Sequence, residues 1–178
     1  MMKILLHTCC APCSASTISL LKEKYDIVSF WYNPNIYPLG EYNLRKKTWH
    51  EYMSFLKIET SEKSAEWIDD EKLYEHLWLD KAVAGQKGRC FFCYEKRLEE
   101  TAIRAKSLGI PNFSTTLLAS PYQKHEDIIL IANDIAEKNG LNFIYIDPRK
   151  IFYNGVNSVK KMGLYSQKYC GCKLSIRK

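Results

Sequence analysis

Lys3-Ile4-Leu5-Leu6-His7-Thr8-Cys9-Cys10-Ala11-Pro12-Cys13-Ser14 is the stretch whose reading decides the fold. Its short apolar run, Lys3 to His7, reads as a buried strand. A helix is expected at about residues 14–24, capped by Ser14 or Ser16, with Ile18, Leu20 and Leu21 facing inward. The same alternation continues outward. Ile27 to Tyr32 is β-branched and aromatic and reads as a second strand, broken by Asn33-Pro34-Asn35-Ile36-Tyr37-Pro38. Over about 40–56, Trp49, Tyr52, Met53 and Leu56 recur at i, i+3, i+4 and i+7, the stripe of an amphipathic helix packed on a core.

Residues 59–80 are acidic, with Trp67, Ile68, Leu73, Leu77 and Trp78 among the charges, and read as one or two helices. A loop follows at Gly85-Gln86-Lys87-Gly88. Tyr94 to Ser107 reads as a helix with Leu98, Ala102, Ile103 and Ala105 inside and Gly109 just beyond its end. Phe113 to Leu118 is a third expected strand, Glu126 to Lys138 a helix closed by Gly140, and Leu141 to Ile146 a fourth strand. The last stretch reads as a short helix plus loop. Strands alternating with helices predict an α/β fold: one Rossmann-like domain over 1–178, its sheet mostly parallel, with helices on both faces. Residues 59–88 are expected to form a helical insertion, and 148–178 a basic, cysteine-containing tail. In a parallel sheet, Thr8-Cys9-Cys10, Asn33-Pro34-Asn35, Ala119-Ser120-Pro121-Tyr122 and Asp147-Pro148-Arg149 all follow strands and share one rim, where such sheets bind ligands.

Composition sets the outer limits. The 178 residues are 46% hydrophobic and 26% charged, which excludes disorder over most of the chain and suits one domain with its own core. No apolar run reaches the roughly 18 residues of a membrane span. The N-terminal apolar stretch is too short for a signal peptide, so a cytoplasmic location without membrane partners is expected. The net charge of +6 is uneven: eight of the 26 basic residues lie after Asp147, where no acidic residue follows. They are Arg149, Lys150, Lys160, Lys161, Lys168, Lys173, Arg177 and Lys178. Such a block serves as a solvated surface or draws polyanions, nucleic acid among them.

The seven cysteines are too few, and odd in number, for a secreted disulfide scaffold. They fall in three groups: Cys9, Cys10 and Cys13; Cys90 and Cys93; Cys170 and Cys172. In a reducing compartment, clustered thiols indicate metal or redox chemistry. The first two groups sit where helices are expected to begin, and a helix N-terminus favours thiolate, which is both metal ligand and nucleophile. Cys170-Gly171-Cys172 has a spacing that suits a strained, redox-active disulfide. Four thiolates complete an iron–sulfur cluster or a zinc site. The number of thiols exceeds what structural zinc needs, which favours a cluster together with redox thiols. Zinc, and thiol redox without metal, stay open. Cys13 reads equally well as a small buried hydrophobe.

Other polar residues carry weaker signals. His7 reads as a packed strand-end residue, and His50, His76 and His125 as surface residues. Thr115-Thr116 closes a strand where ligands are often met. Tyr122 and Tyr165 are candidates for stacking on a base, against a background of twelve tyrosines. Asp147 closes a strand and is a candidate acid, metal ligand or cap.

Several segments resemble the QueH-type epoxyqueuosine reductases. They are Leu6-His7-Thr8-Cys9-Cys10-Ala11-Pro12-Cys13-Ser14; Tyr32 to Pro38 followed by Glu41-Tyr42-Asn43-Leu44-Arg45; Arg89-Cys90-Phe91-Phe92-Cys93-Tyr94 with Arg97-Leu98; Ser114 to Tyr122; and Leu164-Tyr165-Ser166-Gln167-Lys168-Tyr169-Cys170-Gly171-Cys172. They span nearly the whole chain. One departure is Pro148, where the family tends to place an aromatic. The resemblance implies a cobalamin-independent reductase that removes the epoxide oxygen of epoxyqueuosine in tRNA, with an external electron donor. It implies that Cys9, Cys10, Cys90 and Cys93 hold a 4Fe–4S cluster and that Cys170 and Cys172 form a redox-active pair.

Deoxygenating an epoxide takes two electrons and two protons. A dithiol at Cys170 and Cys172 is a candidate second electron store, and Asp147, Tyr122 or His7 candidate proton sources. Alternatively Cys13, Cys170, Cys172 and Asp147 hold an additional iron that polarises the epoxide oxygen. Tyr122, Arg149 and Lys168 are the candidate substrate contacts, with a steep salt dependence expected for tRNA binding. The rival readings are a zinc-containing RNA-binding module without catalysis, and a metal-free thiol oxidoreductase.

Overall fold

In the computed structural model, which describes residues 1–176 apart from Gln86, the opening apolar run is the central strand, β1 (Met2–Thr8). It runs directly into α1 (Ala11–Leu21). The chain continues through β2 (Tyr25–Trp31), α2 (Leu39–Leu56), β3 (Glu59–Glu62), α3 (Asp80–Ala84), α4 (Arg89–Ser107), β4 (Asn112–Thr115), α5 (His125–Asn139), β5 (Asn142–Phe143) and α6 (Phe152–Lys161). The five strands form one sheet in the order β3-β2-β1-β4-β5, and every pairing is parallel. The strand order reverses between β1 and β4, which defines a switch point at their carboxyl ends.

The two-residue period of β1 and β2 builds the two faces of the sheet. Ile4, Leu6, Ile27 and Trp31 pack with Ile18 and Leu21 of α1 and Trp49 and Met53 of α2. Leu5, Val28 and Phe30 pack with Phe113, with Leu98 and Ala102 of α4, and with Ile128 and Ile131 of α5. Both faces are covered, which is why β1 reads as an unbroken apolar run rather than an alternating one. The Trp49, Tyr52 and Met53 stripe is buried as its spacing predicts.

Where the structure departs from the sequence reading, the causes are local. Residues 59–62 are not helical but form β3, an edge strand of Glu59, Thr60, Ser61 and Glu62 that carries no apolar signal. Charged side chains suit an edge. The rest of the expected insertion is turns, a π-helical turn at Glu75–Leu79, and α3. Its Trp67 and Tyr74 fold back on the segment after β2, donating to the carbonyls of Pro34 and Asn35 at 2.8 and 3.0 Å. The third strand stops at Thr115 and turns into a 3-10 helix at Thr116–Ala119, and the fourth keeps only two ladder residues. Leu20 and Ile103, expected inside, are exposed, because the buried faces of their helices run through Ile18 and Leu21 and through Leu98, Ala102 and Ala105. Among the described residues no helix is long and apolar enough to cross a membrane.

α6 lies against α1. A Cβ on Gly155 would stand 2.8 Å from the Pro12 carbonyl oxygen and 2.9 Å from the Ser16 nitrogen, so only glycine permits this approach. Phe152 at the start of α6 thereby joins Cys10, Cys13 and Ala119 in one small apolar cluster.

Candidate thiol site at the sheet switch point

β1 delivers Cys9 to the switch point, and the β4 end supplies its partner. The Cys9 amide donates to Thr116 Oγ1 at 3.1 Å, and the Thr116 hydroxyl donates to Cys9 Sγ at 3.4 Å. Cys10, rather than Ser14 or Ser16, caps α1: its sulfur accepts from the Cys13 amide at 3.5 Å. The helix thus starts three residues earlier than expected, and Cys13 lies in its first turn. The side chains of Cys9, Cys10 and Cys13 lie within 4.8 Å of one another, with Cys9 and Cys10 sulfurs 3.8 Å apart. Hydrogen bonds from Cys10, then Cys13 and Thr116, hold the Cys9 thiol well below its ordinary range. Burial raises Cys10, and donation to its neighbours raises Cys13. Cys9 is thus the first of the three to ionise, and the trio offers sulfur donors of the kind that could hold a soft metal.

Cys90 and Cys93 open α4, as expected, but do not join that trio within 4.8 Å. Cys93 is buried, and burial pushes its thiol up to about 12 even though Arg97 opposes this. Arg97, one helical turn on, is 2% exposed. Its Nε donates to the Cys93 carbonyl and a terminal nitrogen to Cys93 Sγ, both at 3.1 Å. No carboxylate pairs with it among the described residues. Burial works against its charge, but the thiol groups of Cys93, Cys170 and Cys9 outweigh this and keep it protonated. A buried guanidinium calls for a counter-charge, and the Cys93, Cys170 and Cys9 sulfurs are the groups that stand to supply it on ionising.

The third cysteine group reaches the same rim. Cys170 is exposed and Cys172 half-buried, and both are free thiols. Gln123 donates to Cys170 Sγ at 3.6 Å, and Gln167 donates to Cys10 Sγ at 2.8 Å. Burial raises the Cys172 thiol, while the Leu174 amide and the Tyr74 hydroxyl pull it part of the way back.

The other candidates take varied positions. His7 is fully buried and structural. Its Nε2 meets the Tyr32 carbonyl at 3.1 Å and so carries the proton, and its Nδ1 accepts from Thr115 at 3.0 Å. Burial, then the Arg97 charge, lowers it to about 4, so it is neutral and has no proton to offer a substrate. Asp147 is gripped by Arg149 through two bonds of 2.8 and 2.6 Å, which lower its carboxyl to about 2. At neutral pH it is an anion, suited to a cation rather than to giving up a proton. Tyr122 is exposed, its hydroxyl 3.2 Å from that of Tyr153, beside buried Phe152 and the trio. Tyr165 is tied to Glu41. Lys168, Lys150, Lys160 and Lys161 are exposed without ion pairs among the described residues, whereas Arg149 and Lys173 pair with Asp147 and Glu75. Arg177 and Lys178 of the basic tail lie outside the described residues. His125, expected on the surface, is buried against Tyr145. Sequence reasoning passed over Gln167, Gln123, Tyr74 and Arg45; only Arg97, one turn from Cys93, had a readable spacing.

A parallel α/β sheet with a cysteine trio at its switch point, and two further thiol groups tied toward it through Arg97 and Gln167, is suited to thiol or metal chemistry. Known proteins narrow this. The family described as Epoxyqueuosine reductase QueH matches residues 4–178, and the chain belongs to that family. It is 35% identical over 171 residues to a protein of Dehalococcoides mccartyi named Epoxyqueuosine reductase QueH, covering 96% of this chain and 90% of the relative. It is 37% identical over 177 residues to one of the same name from Thermotoga maritima, covering 97% and 90%. A Helicobacter pylori relative of that name is 34% identical over 189 residues, covering 98% of this chain and 49% of its own length.

Proposed function

We propose that this protein reduces epoxyqueuosine in tRNA to queuosine, without cobalamin. The observation that carries the reading is the meeting of three cysteine groups at one ligand-binding rim in a chain of the QueH family. The zinc-bound module without catalysis is not favoured, since the relatives above are named as reductases.

The donor set fits an iron–sulfur centre in kind: thiolates at a helix start, with a buried cation beside them. Cys9 and Cys10, with Cys90 and Cys93, would hold a 4Fe–4S cluster, which supplies single electrons when bound. Cys13, within the trio, is a candidate ligand of an additional iron, and Asp147 becomes available to it only on leaving Arg149.

The protein's own residues account for the rest. Cys170 and Cys172 as a dithiol give two electrons and two protons on closing to a disulfide. The epoxide takes up both, losing its oxygen as water and becoming an alkene. An external donor returns the pair to the dithiol. Arg97 keeps negative charge on the sulfurs tolerable inside the fold. The exposed Tyr122 and Tyr153, next to the Phe152 that packs on Cys10 and Cys13, suit stacking on splayed bases, while Lys150, Lys160, Lys161 and Lys168 suit phosphates. About four neutralised phosphates would give a salt slope near −3 and about a 50-fold loss of tRNA affinity between 50 and 200 mM salt.

The test uses protein purified without oxygen and tRNA carrying epoxyqueuosine. Conversion to queuosine by mass spectrometry, with iron and acid-labile sulfide in the protein, is expected. Cys172→Ser should keep the iron and abolish turnover. Full turnover by Cys172→Ser removes the dithiol from the mechanism, and zinc without sulfide removes the cluster.

A further inference from the structure

Residues 163–172 contain no helix or strand, so other groups must fix the shape of the turn that carries Cys170 and Cys172. Those groups come from the start of α2 and the segment before it. Arg45, 3% exposed, is the centre of the arrangement. Its Nε pairs with Glu41 at 2.5 Å, while its two terminal nitrogens donate to the carbonyls of Cys170 and Tyr169 at 3.3 and 2.9 Å. Its guanidinium also lies 4.9 Å from the centre of the Tyr169 ring. Glu41 in turn accepts from the Tyr165 hydroxyl at 3.0 and 2.8 Å. The Tyr169 hydroxyl donates to the Tyr37 carbonyl, and the Tyr37 amide donates to the Gly171 carbonyl at 2.9 Å. The Tyr74 hydroxyl accepts from the Lys173 amide at 3.3 Å.

Three successive carbonyls of the turn, Tyr169, Cys170 and Gly171, are thus held, two of them by one guanidinium. Gly171 has φ +113, and a Cβ there would stand 3.0 Å from Ile36 and 3.1 Å from Arg45, so the backbone is pressed against this seat. Asn35, beneath the same glycine, is buried with neither amide atom bonded, so it contributes contact but no grip.

We propose that Arg45, braced by Glu41 and Tyr165, is a positioning residue for the Cys170–Cys172 thiol pair, setting where both sulfurs stand at the rim. A planar fork that holds two adjacent carbonyls fixes direction as well as distance, which a lysine point charge does not. The inference rests on the reading that this pair acts in the reduction.

The experiment compares full-length Arg45→Met, Arg45→Lys and Tyr165→Phe, prepared without oxygen, with the unaltered protein. It reads iron and sulfide content, kcat and KM for tRNA carrying epoxyqueuosine, and iodoacetamide alkylation rates at Cys170 and Cys172 by mass spectrometry. For Arg45→Met, kcat should fall about 10- to 100-fold with KM within about threefold, as expected for misplaced reacting groups. Cys172 alkylation should rise about tenfold while iron and sulfide stay unchanged, and Arg45→Lys should restore less than half of kcat. Tyr165→Phe, which removes only a hydroxyl, should shift alkylation about threefold the same way and keeps the test alive if Arg45 variants do not fold. Unchanged alkylation in every folded variant overturns the proposal, and so does full rescue by lysine or loss of iron in step with kcat. Cys172→Ser run alongside separates the two ideas. If it keeps full turnover, the role of the pair in the reduction fails, while the alkylation rates still decide whether Arg45 positions it.

Discussion

The N-terminal thiols and the C-terminal thiols are built by opposite means. Cys9, Cys10 and Cys13 stand at a strand-to-helix junction in the middle of the sheet, where regular hydrogen bonding dictates their spacing. Cys170 and Cys172 stand on an irregular turn held by the Arg45 side chain of α2 and by Tyr74, in the segment between β3 and α3. The first arrangement is stiff and largely buried, which suits ligands that must hold one geometry. The second is more exposed and adjustable, which suits thiols that open, close and meet an external reductant. On the proposed function, secondary structure would fix the donor set and tertiary clamps would carry the thiols that turn over.

The contrast can be broken most forcefully at its stiff end. If the N-terminal thiols hold a metal as proposed, Cys9→Ser should lower iron and sulfide content and reduce turnover by more than the ~100-fold typical of losing an outer partner of a metal ligand. Iron and sulfide analysis alongside turnover checks this, and a Cys9→Ser protein with full iron contradicts the division of labour. Arg97→Met comes next, because Arg97 feels Cys9 on one side and Cys170 on the other. Removing this buried cation should cost about 3–5 kcal/mol, or roughly 10 °C in Tm for a chain of this size. Thermal unfolding measures it, and a shift under about 2 °C would mean that the thiols carry no charge for Arg97 to balance.

Gly171→Ala probes the adjustable end. Its strained φ and the close contacts with Ile36 and Arg45 predict a loss of about 1–2 kcal/mol, with the metal retained. Denaturant unfolding with iron analysis separates the two effects, and loss of metal would show the regions to be one unit. The smallest effect is expected at Asp147. Its carboxyl is lowered from 3.8 to about 2 by Arg149. A depressed carboxyl contributes stability that is complete above its unfolded value and is lost as pH falls toward 2. The pair is exposed and screened, so Asp147→Asn should be only slightly less stable than the unaltered protein from pH 5 to 9, and the two should converge as pH falls below about 4. An acid titration followed by circular dichroism tests this.

The apolar run Ile4-Leu5-Leu6 and the alternation of strand and helix signals made the parallel α/β fold legible, since burial on both faces demands such a run. The helix stripe of Trp49, Tyr52 and Met53 was legible for the same reason, and so were the three thiol groups and the family they resemble. β3 was not legible, because an edge strand of Glu59, Thr60, Ser61 and Glu62 satisfies its backbone without an apolar pattern. His7 and Asp147 were legible as polar residues at strand ends but not in their roles. Burial made His7 a neutral brace, and Arg149 made Asp147 a paired anion.

What the sequence determined by itself is what depends on neighbours along the chain: which segments pair or coil, where thiols cluster, and that β1 hands Cys9 and Cys10 to the start of a helix. Tertiary structure alone decided what depends on distant neighbours. It set Thr116 against Cys9, Gln167 against Cys10, Gly155 against α1, and Arg45 under the Cys170–Cys172 turn. These contacts join residues more than a hundred positions apart, and a side chain's partner at that separation follows from how the sheet is ordered and covered, which no local periodicity encodes.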